Sequence, residues 1–275
     1  MKTWLTAAGL VVTSLTLSPS LSAQWPIYPT RDVPSSNGKP NLDAPAPRTA
    51  DGKPDLTGLW ENVWFYNGKV SPPLASPAGE PPASTFSNVG AGFKDGLPLR
   101  PWAAELLKQR KEQNSKDNPD AHCLPMGLMQ FHEHPQPRKI VQTPDLIVIL
   151  YEGNAGVRQI FTDGRALPQK EAQPWWYGYS VGKWEGDTLV VETIGFRDEG
   201  WLDIWGSPLT DAAKITERFQ RLNYGTLRID VTIDDPKAYT QPFTVRVNQR
   251  VVLNNELIEF ICAENERSVP HMIGK

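Results

Sequence analysis

The sequence has few cysteines and histidines, no excess of positive charge and no apolar run long enough to span a membrane. Its 275 residues include 2 cysteines and 4 histidines. There are 28 basic and 31 acidic side chains, which gives a formal net charge of −3. Without a basic surface, nucleic acid and anionic lipid are not expected partners. A membrane span needs about 20 apolar residues, so none is expected. The predicted partner is a small-molecule ligand or substrate.

The sequence also lacks a phosphate-binding glycine loop, a dinucleotide fingerprint and a His-Glu-x-x-His helix. Ser180 has no base beside it in sequence, so covalent serine catalysis is not expected. His132 and His134 form an H-x-H pair, but prolines follow at once and a structural metal needs four ligands. We therefore predict no cofactor and no metal, and both histidines are interpreted as surface loop residues.

The first 23 residues have the pattern of a secretory signal peptide. Lys2 provides the positive start, 5–17 is a short apolar run, and Leu21-Ser22-Ala23 suits cleavage. This pattern predicts export to the periplasm or the medium, with a mature chain that begins near Gln24.

Cys123 and Cys262 are then expected to meet in an oxidising compartment. A disulfide between them would close a long loop, worth roughly 4–5 kcal/mol in the chain-entropy account. The alternative is a pair of buried free thiols.

Proline and glycine divide the remaining chain. Residues 24–55 form a proline-rich N-terminal arm, and 56–275 is predicted to be a single β domain. A Pro- and Gly-rich insertion at 70–101 interrupts that domain. One short helix is predicted near 101–115, with a proline at its first position.

The remaining pattern is one of short strands at hairpin spacing. The clearest stretch is Trp176–Phe196, where two alternating strands flank a turn at Gly186-Asp187. Parallel sheets need long crossovers, which this spacing does not provide. We predict a mainly β fold, an antiparallel up-and-down barrel or strongly curved sheet, and Gly58-Leu59-Trp60 resembles the short signature of lipocalin-type barrels. Further strands are predicted at 56–66, 157–162, 214–222, 226–233, 243–253 and 257–262, and a pair of strands broken by Pro144-Asp145 is predicted over 139–152.

Charged residues inside apolar strands are the candidate catalytic groups. Taken singly, each is expected to face solvent, but enclosed carboxylates and guanidiniums must pair, and such pairs concentrate at functional pockets. The alternation of its strand predicts that Glu152 points towards the core. The candidates from strands are Glu152, Arg158, Glu217 and Arg218, and Asp203 from the loop 195–210 joins them.

Aromatic residues supply the candidate ligand contacts, because the chain contains 10 tryptophans. Aromatic rings with interspersed carboxylates can stack on a sugar or a flat apolar ligand. The alternative is aromatic packing at one end of the barrel. The candidate ligand-binding residues are Trp176, Tyr179, Trp201 and Arg165.

Several segments together resemble a large family of exported bacterial proteins with a WEGDTLVVET-type hairpin. The segments that carry the resemblance are 139–168, 176–196, 201–203, 216–219 and 233–239. Most members are hypothetical secreted proteins, so the resemblance implies export but neither substrate nor reaction. It implies a family pattern that includes Glu152, Arg158, Asp163, Arg165, Asp203, Glu217 and Arg218, and that omits His132 and His134.

Three functions follow as hypotheses. The first is an exported barrel that encloses a small organic ligand, with aromatics at its mouth and charged residues as polar contacts. The second is a periplasmic lyase, isomerase or hydrolase acting on a sugar-like or aromatic molecule. In that case Glu152, Asp203 or Glu217 would be the general base, and an arginine would stabilise developing negative charge. The third is a structural or envelope-interaction module built on the N-terminal arm.

Overall fold

The computed structural model describes residues 28–63, 65–66, 69–70, 78–168, 174–262 and 264, so the predicted signal peptide lies outside it. The helices of this part are α1 (Pro101–Glu112) and α2 (Leu128–Glu133), with 3-10 turns at Pro119–His122 and Gly153–Ala155. The strands are β1 (Ser35–Ser36), β2 (Lys39–Pro40), β3 (Gly58–Asn62), β4 (Phe65–Tyr66), β5 (Lys69–Val70), β6 (Arg138–Gln142), β7 (Leu146–Tyr151), β8 (Val157–Phe161), β9 (Tyr179–Glu185), β10 (Thr188–Ile194), β11 (Gly200–Trp201), β12 (Pro208–Leu209), β13 (Lys214–Arg221), β14 (Thr226–Asp234) and β15 (Phe243–Val251).

Nine strands close into a barrel in the order β3-β6-β7-β8-β9-β10-β13-β14-β15, and β15 pairs back onto β3. Each barrel strand lies beside the barrel strand that precedes it in the chain, so the topology is up-and-down. All neighbours are antiparallel except β8 and β9. The predicted fold class, a mainly β, lipocalin-like barrel, is confirmed.

The parallel pair follows from the number of strands. Nine strands cannot alternate in direction all the way around a closed barrel, so one neighbouring pair must run the same way. The connection 162–178 between β8 and β9 is longer than the dozen or so residues that a crossover needs. The β9–β10 connection, in contrast, is a tight hairpin in which Gly186 has a φ of +59°.

Alternating apolar side chains fill the barrel. In β14, every second residue from Leu227 to Ile233 is at most 1% exposed. Their partners Val245 and Val247 on β15 are equally buried. Trp60 on β3 is fully buried, and its indole N–H donates to the Leu56 carbonyl at 3.0 Å. The interior is therefore a packed side-chain core, as expected for a barrel of about this strand number.

Different segments cover the two ends of the barrel. At one end the N-terminal arm crosses the strand termini, where the Tyr224 backbone N–H donates to the Ala44 carbonyl at 2.8 Å. At the other end lies α2, all of whose residues are buried. Phe131 of α2 stacks on Tyr151 of β7, with ring centroids 4.3 Å apart. The helix thus lies against the inward-facing side chains of the strands.

The C-terminal hairpin prediction is wrong in its second half, because β15 ends at Val251 and 257–262 is not a strand. The edge of β15 on which it would have paired is taken by β3, which closes the barrel. A disulfide joins Cys123 to Cys262 and ties the C-terminal tail to the 3-10 turn that follows α1. The predicted disulfide is confirmed.

The predicted helix is present as α1, which begins at Pro101 and ends at Glu112 rather than near residue 115. Ala103 is its buried residue, Leu106 and Leu107 are half-buried, and Trp102 is 46% exposed. In the part of the chain that the structure describes, we find no helix with the length and apolar character required to cross a bilayer.

Candidate functional site

A charge cluster that contains two of the predicted catalytic residues lies inside the barrel. Glu217 of β13 and Arg158 of β8 are 0% and 2% exposed and form a two-pronged ion pair, with one contact of 2.9 Å between Arg158 Nη1 and Glu217 Oε1. Arg158 also donates to the hydroxyls of Ser180 and Thr193 at 3.0 and 3.1 Å. His132 of α2 completes the cluster, with Nε2 2.5 Å from Glu217 Oε1.

The electrostatics of this cluster fix its protonation states. Burial alone would raise the pKa of Glu217, but the Arg158 charge and the hydrogen bonds from His132 and Arg158 outweigh it and lower the pKa to about 2. Burial lowers the pKa of His132, and the charges of Arg158 and Arg138 add to this, against the opposing effect of Glu217. Glu217 is therefore a carboxylate at neutral pH, and neutral His132 donates its Nε2–H to it.

The hydrogen-bonding capacity of the Glu217 carboxylate is used within the cluster. Both oxygens of Glu217 accept from protein donors. Three cavities formed by the described residues, with volumes of about 640, 450 and 10 Å³, are all lined by side chains other than those of His132, Arg158 and Glu217. The physical effect of the cluster is to hold α2 against strands β8 and β13. Arg158 and Glu217, two of the predicted catalytic residues, thus lie together in the barrel interior, where they are surrounded by packed side chains.

The other three catalytic candidates lie apart from this pair. Arg218 points outward from β13 and pairs with Glu185 at 3.1 Å, with about half of each side chain exposed. Glu152 is buried, but beneath the C-terminal tail, where it accepts the backbone N–H of Ile258 at 3.1 Å. The prediction that Glu152 points towards the core is wrong. Both faces of β7 are apolar, and its inward-facing residues are Ile147, Ile149 and Tyr151, which alternate with the positions that Glu152 continues.

Asp203, the last catalytic candidate, shapes a loop and is only 1% exposed. Its Oδ1 accepts the backbone N–H groups of Gly206 and Ser207 at 2.9 and 3.0 Å. Its Oδ2 accepts the Val89 N–H at 2.9 Å and the Ser207 hydroxyl at 2.7 Å. Burial raises the pKa of Asp203, and these four hydrogen bonds offset part of that effect.

We expect Asp203→Asn to lower the free energy of unfolding by about 2 kcal/mol, because the amide would turn an N–H group towards two donors. Asp198→Asn, an exposed substitution in the same loop, is the control and should change stability by less than about 0.5 kcal/mol. Urea denaturation of both variants measures the difference. Equal stability of the two variants would show that Asp203 does not hold this loop.

An open cleft lies outside the barrel, between α1, the 3-10 turn 119–122 and the loop 197–210, with a volume of about 640 Å³. Its floor and walls combine indole rings, guanidinium groups and carboxamides, while its three carboxylates belong to exposed residues. The charged and tryptophan side chains that line the cleft include those of Trp102, Arg110, Asp117, Trp176, Arg197, Asp198, Glu199 and Trp201.

Two guanidinium–indole contacts dominate the cleft. The Arg110 guanidinium lies over the Trp201 ring, 4.2 Å from its centroid, and Nη1 donates to the Gly206 carbonyl at 2.9 Å. The Arg197 guanidinium lies over the Trp176 ring at 4.7 Å. Such contacts contribute roughly 0.5–2 kcal/mol each and fix the orientation of both partners. The cleft is therefore a preformed site with cationic and aromatic groups.

Of the predicted ligand-binding residues, the structure brings Trp176 and Trp201 together in this cleft. Arg165 and Tyr179 lie elsewhere, hydrogen-bonded to each other at 3.0 Å beside Phe161. Arg110 was missed because its helix showed no functional signal in sequence. The tryptophan count was the one signal that pointed to this region.

The predicted surface position of His132 and His134 is wrong. His132 is 1% exposed, and His134 is half-buried, with its ring against the edge of Phe86 at 4.9 Å. Burial and the Arg138 charge lower the pKa of His134 to about 4. The cause of the error is α2, which ends just before Pro135 and turns His132 inward. In the described ranges we find no group of three or more His, Cys, Asp or Glu side chains placed to hold a metal ion.

The segment Gly178–Gly182 has the letter spacing of a serine nucleophile motif, but its setting is different. Ser180 lies within strand β9, not at a strand-to-helix turn, and is 1% exposed. Its hydroxyl is hydrogen-bonded to Arg158 and to Thr193 at 2.9 Å. Ser180 is therefore part of the buried charge cluster.

Comparison with known proteins adds no assignment, because the chain matches no family model and no curated protein sequence. The cleft is therefore interpreted from its own geometry.

Proposed function

We propose that this chain is an exported protein that binds a small organic ligand in the cleft between α1 and the loop 197–210. The observation that carries the proposal is the cleft itself, whose volume of about 640 Å³ falls within the roughly 300–1,000 Å³ of small-molecule sites. Trp102, which is 46% exposed, and half-buried Trp176 offer apolar surface, and the guanidiniums and carboxamides of the cleft offer polar groups that orient a ligand. The packed barrel is then the scaffold that holds the cleft.

The export part of the proposal is supported by the signal-like N-terminus and by the disulfide between Cys123 and Cys262. Disulfides persist in oxidising compartments such as the periplasm and the extracellular medium. We also propose membership in the family of exported bacterial proteins that the β9–β10 hairpin sequence resembles.

A second cavity, of about 450 Å³, lies at the other end of the barrel, beneath the N-terminal residues 28–32. Its buried cation, Arg221, is already satisfied by the backbone carbonyls of Asp55 and Tyr224, the latter at 2.6 Å. Its aromatic lining is limited to Tyr28 and Tyr224. We therefore favour the tryptophan-lined cleft as the ligand site.

A binding protein fits better than an enzyme. Glu217 and Asp203, the two most deeply buried acidic candidates, accept hydrogen bonds from the protein on both oxygens. A general base must reach the proton that it removes, and neither carboxylate lines the cleft. The carboxylate chemistry of the alternative hypothesis has no support from this geometry.

The proposal is tested with four probes, 2-naphthoate, 2-naphthamide, glucuronate and glucose, by calorimetric titration of the full chain. We expect at least one probe to bind, and Trp176→Ala to weaken it by about tenfold or more, because a central aromatic residue carries much of the binding energy.

The matched control for this test is Trp175→Ala. Trp175 is the neighbouring residue, 48% exposed, and its ring packs against Tyr179 at 6.4 Å, away from the cleft. This variant should bind the probe as the unmodified chain does. Equal weakening by both substitutions, or binding that neither affects, would place the ligand elsewhere.

A further inference from the structure

We infer that the cleft selects an organic anion, a carboxylate attached to an aromatic or sugar-like ring, and that Arg110 is the residue that binds the carboxylate. This inference rests on the proposed function, because it names the class of ligand for the same cleft. Three observations support it: the placement of Arg110, its lack of a counter-ion and the position of the cleft's own carboxylates.

Contacts with Trp201 and Gly206 hold the Arg110 side chain in place. Its stem packs on Gly206, where an added Cβ would lie 2.5 Å from Arg110 Cδ, and Gly206 has a φ of +98° that favours glycine. Its guanidinium lies on Trp201 and donates one hydrogen bond to the Gly206 carbonyl. Asp203 fixes that loop through Gly206 and Ser207. A guanidinium held in this way loses little conformational entropy when it binds a ligand.

Arg110 has no counter-ion within ion-pair distance among the described residues. Its Nη1 is hydrogen-bonded, so its Nε and Nη2 groups remain without a partner in the same part of the chain. Burial lowers the pKa of Arg110 to about 10, which leaves it charged at neutral pH. A half-buried cation with a free donor edge matches a carboxylate in geometry and in charge.

The charges of Asp117, Glu199 and buried Asp203 act on Arg110 and favour its charged form. Among the described residues, none of these carboxylates forms an ion pair or hydrogen bond with its guanidinium. Asp117, Asp198 and Glu199 are exposed, so water and salt screen their charges. They can accept hydrogen bonds from hydroxyl groups of a ligand and disfavour a second negative charge near them. The arrangement therefore fits a monoanion whose carboxylate reaches Arg110 and whose ring lies against the indoles.

The test compares charged and neutral partners of the same shape, 2-naphthoate with 2-naphthamide and glucuronate with glucose, by calorimetric titration. We expect at least one carboxylate to bind the full chain about tenfold or more tightly than its neutral partner. The pair that shows this preference identifies the ring as aromatic or sugar-like. Equal affinity within both pairs would overturn the inference.

Arg110→Met should reduce the preference to about twofold or less, and Arg110→Lys, which keeps the charge without the planar donor edge, should retain part of it. Lys111→Met is the matched control, because it removes the same charge from the next residue of α1, which lies over Trp205 outside the cleft. A preference that survives Arg110→Met, or that Lys111→Met abolishes equally, would overturn the inference.

The two proposals fail in different ways. Neutral probes that bind as tightly as charged ones and are weakened by Trp176→Ala would uphold the cleft and refute its anion selectivity. If none of the four probes binds at 10 mM (a concentration of about this size detects very weak ligands), both proposals fail.

Discussion

Replacing Glu217 by glutamine is expected to lower the free energy of unfolding by about 3–5 kcal/mol. The substitution keeps the shape of the side chain but removes the negative charge opposite Arg158. Arg158 is 2% exposed, and its remaining partners, Ser180 and Thr193, are neutral hydroxyls. An uncompensated guanidinium would then be enclosed in the barrel, which is among the most destabilising changes that one substitution can make.

Arg218→Gln is the matched control, since Arg218 follows Glu217 on β13 and its side chain is 47% exposed. Its pair with Glu185 is a surface ion pair, so its loss should cost less than about 1 kcal/mol. Urea denaturation at neutral pH measures both variants. A cost for Glu217→Gln below about 1 kcal/mol would show that the buried pair contributes no more than a surface pair.

The same carboxylate predicts how stability depends on pH. The pKa of Glu217 is about 2 in the folded chain against an ordinary value of 4.5. A lowered pKa means that the contribution to stability is complete above about pH 4.5 and is lost as the pH falls towards 2. The difference corresponds to about 3 kcal/mol. The stability gap between the unmodified chain and Glu217→Gln should therefore narrow across this interval.

Removing the disulfide is expected to produce the second large effect, a loss of about 5 kcal/mol on the chain-entropy account. Cys123 and Cys262 are separated by 139 residues, so the bridge restrains nearly the whole barrel in the unfolded chain. In the folded chain it secures the tail, whose other contacts include the Lys139–Glu256 ion pair and the hydrogen bond from Ile258 to Glu152.

The measurement is guanidinium denaturation of the full chain and of the double variant Cys123→Ser, Cys262→Ser. Hydrogen exchange adds a local readout, since amides of the tail should lose protection before those of β13 and β14 do. The reduced, unmodified chain is the control for the substitutions themselves. An unchanged midpoint in both reduced and substituted chains would contradict the expected stabilisation.

The barrel could be predicted from the sequence because its signals are local. The turn at Gly186 and the alternation of Leu189, Val191 and Thr193 specify the β9–β10 hairpin without knowledge of the rest of the chain. The sequence placed Arg158 and Glu217 among the candidates and indicated that enclosed charges must pair, but it did not show which residues would meet.

What the sequence did not predict depends on packing between distant segments. Glu152 was placed on the wrong face because β7 is apolar on both sides, so alternation carries no information there. His132 turns inward through α2, a helix too short to produce a periodic signal. Apart from its tryptophans, the cleft has no pattern in the sequence, since α1 and the loop 197–210 meet only in the folded chain.

The ligand is expected to bind beside the barrel and not inside it. Chemical-shift mapping of the isotopically labelled full chain during titration with 2-naphthoate tests this most directly. We predict shifts at Arg110, Trp176 and Trp201, with the inward-facing residues Ile229 and Val245 unchanged. Shifts centred on Ile229, Val245 and Arg158, with the cleft residues unchanged, would contradict the account.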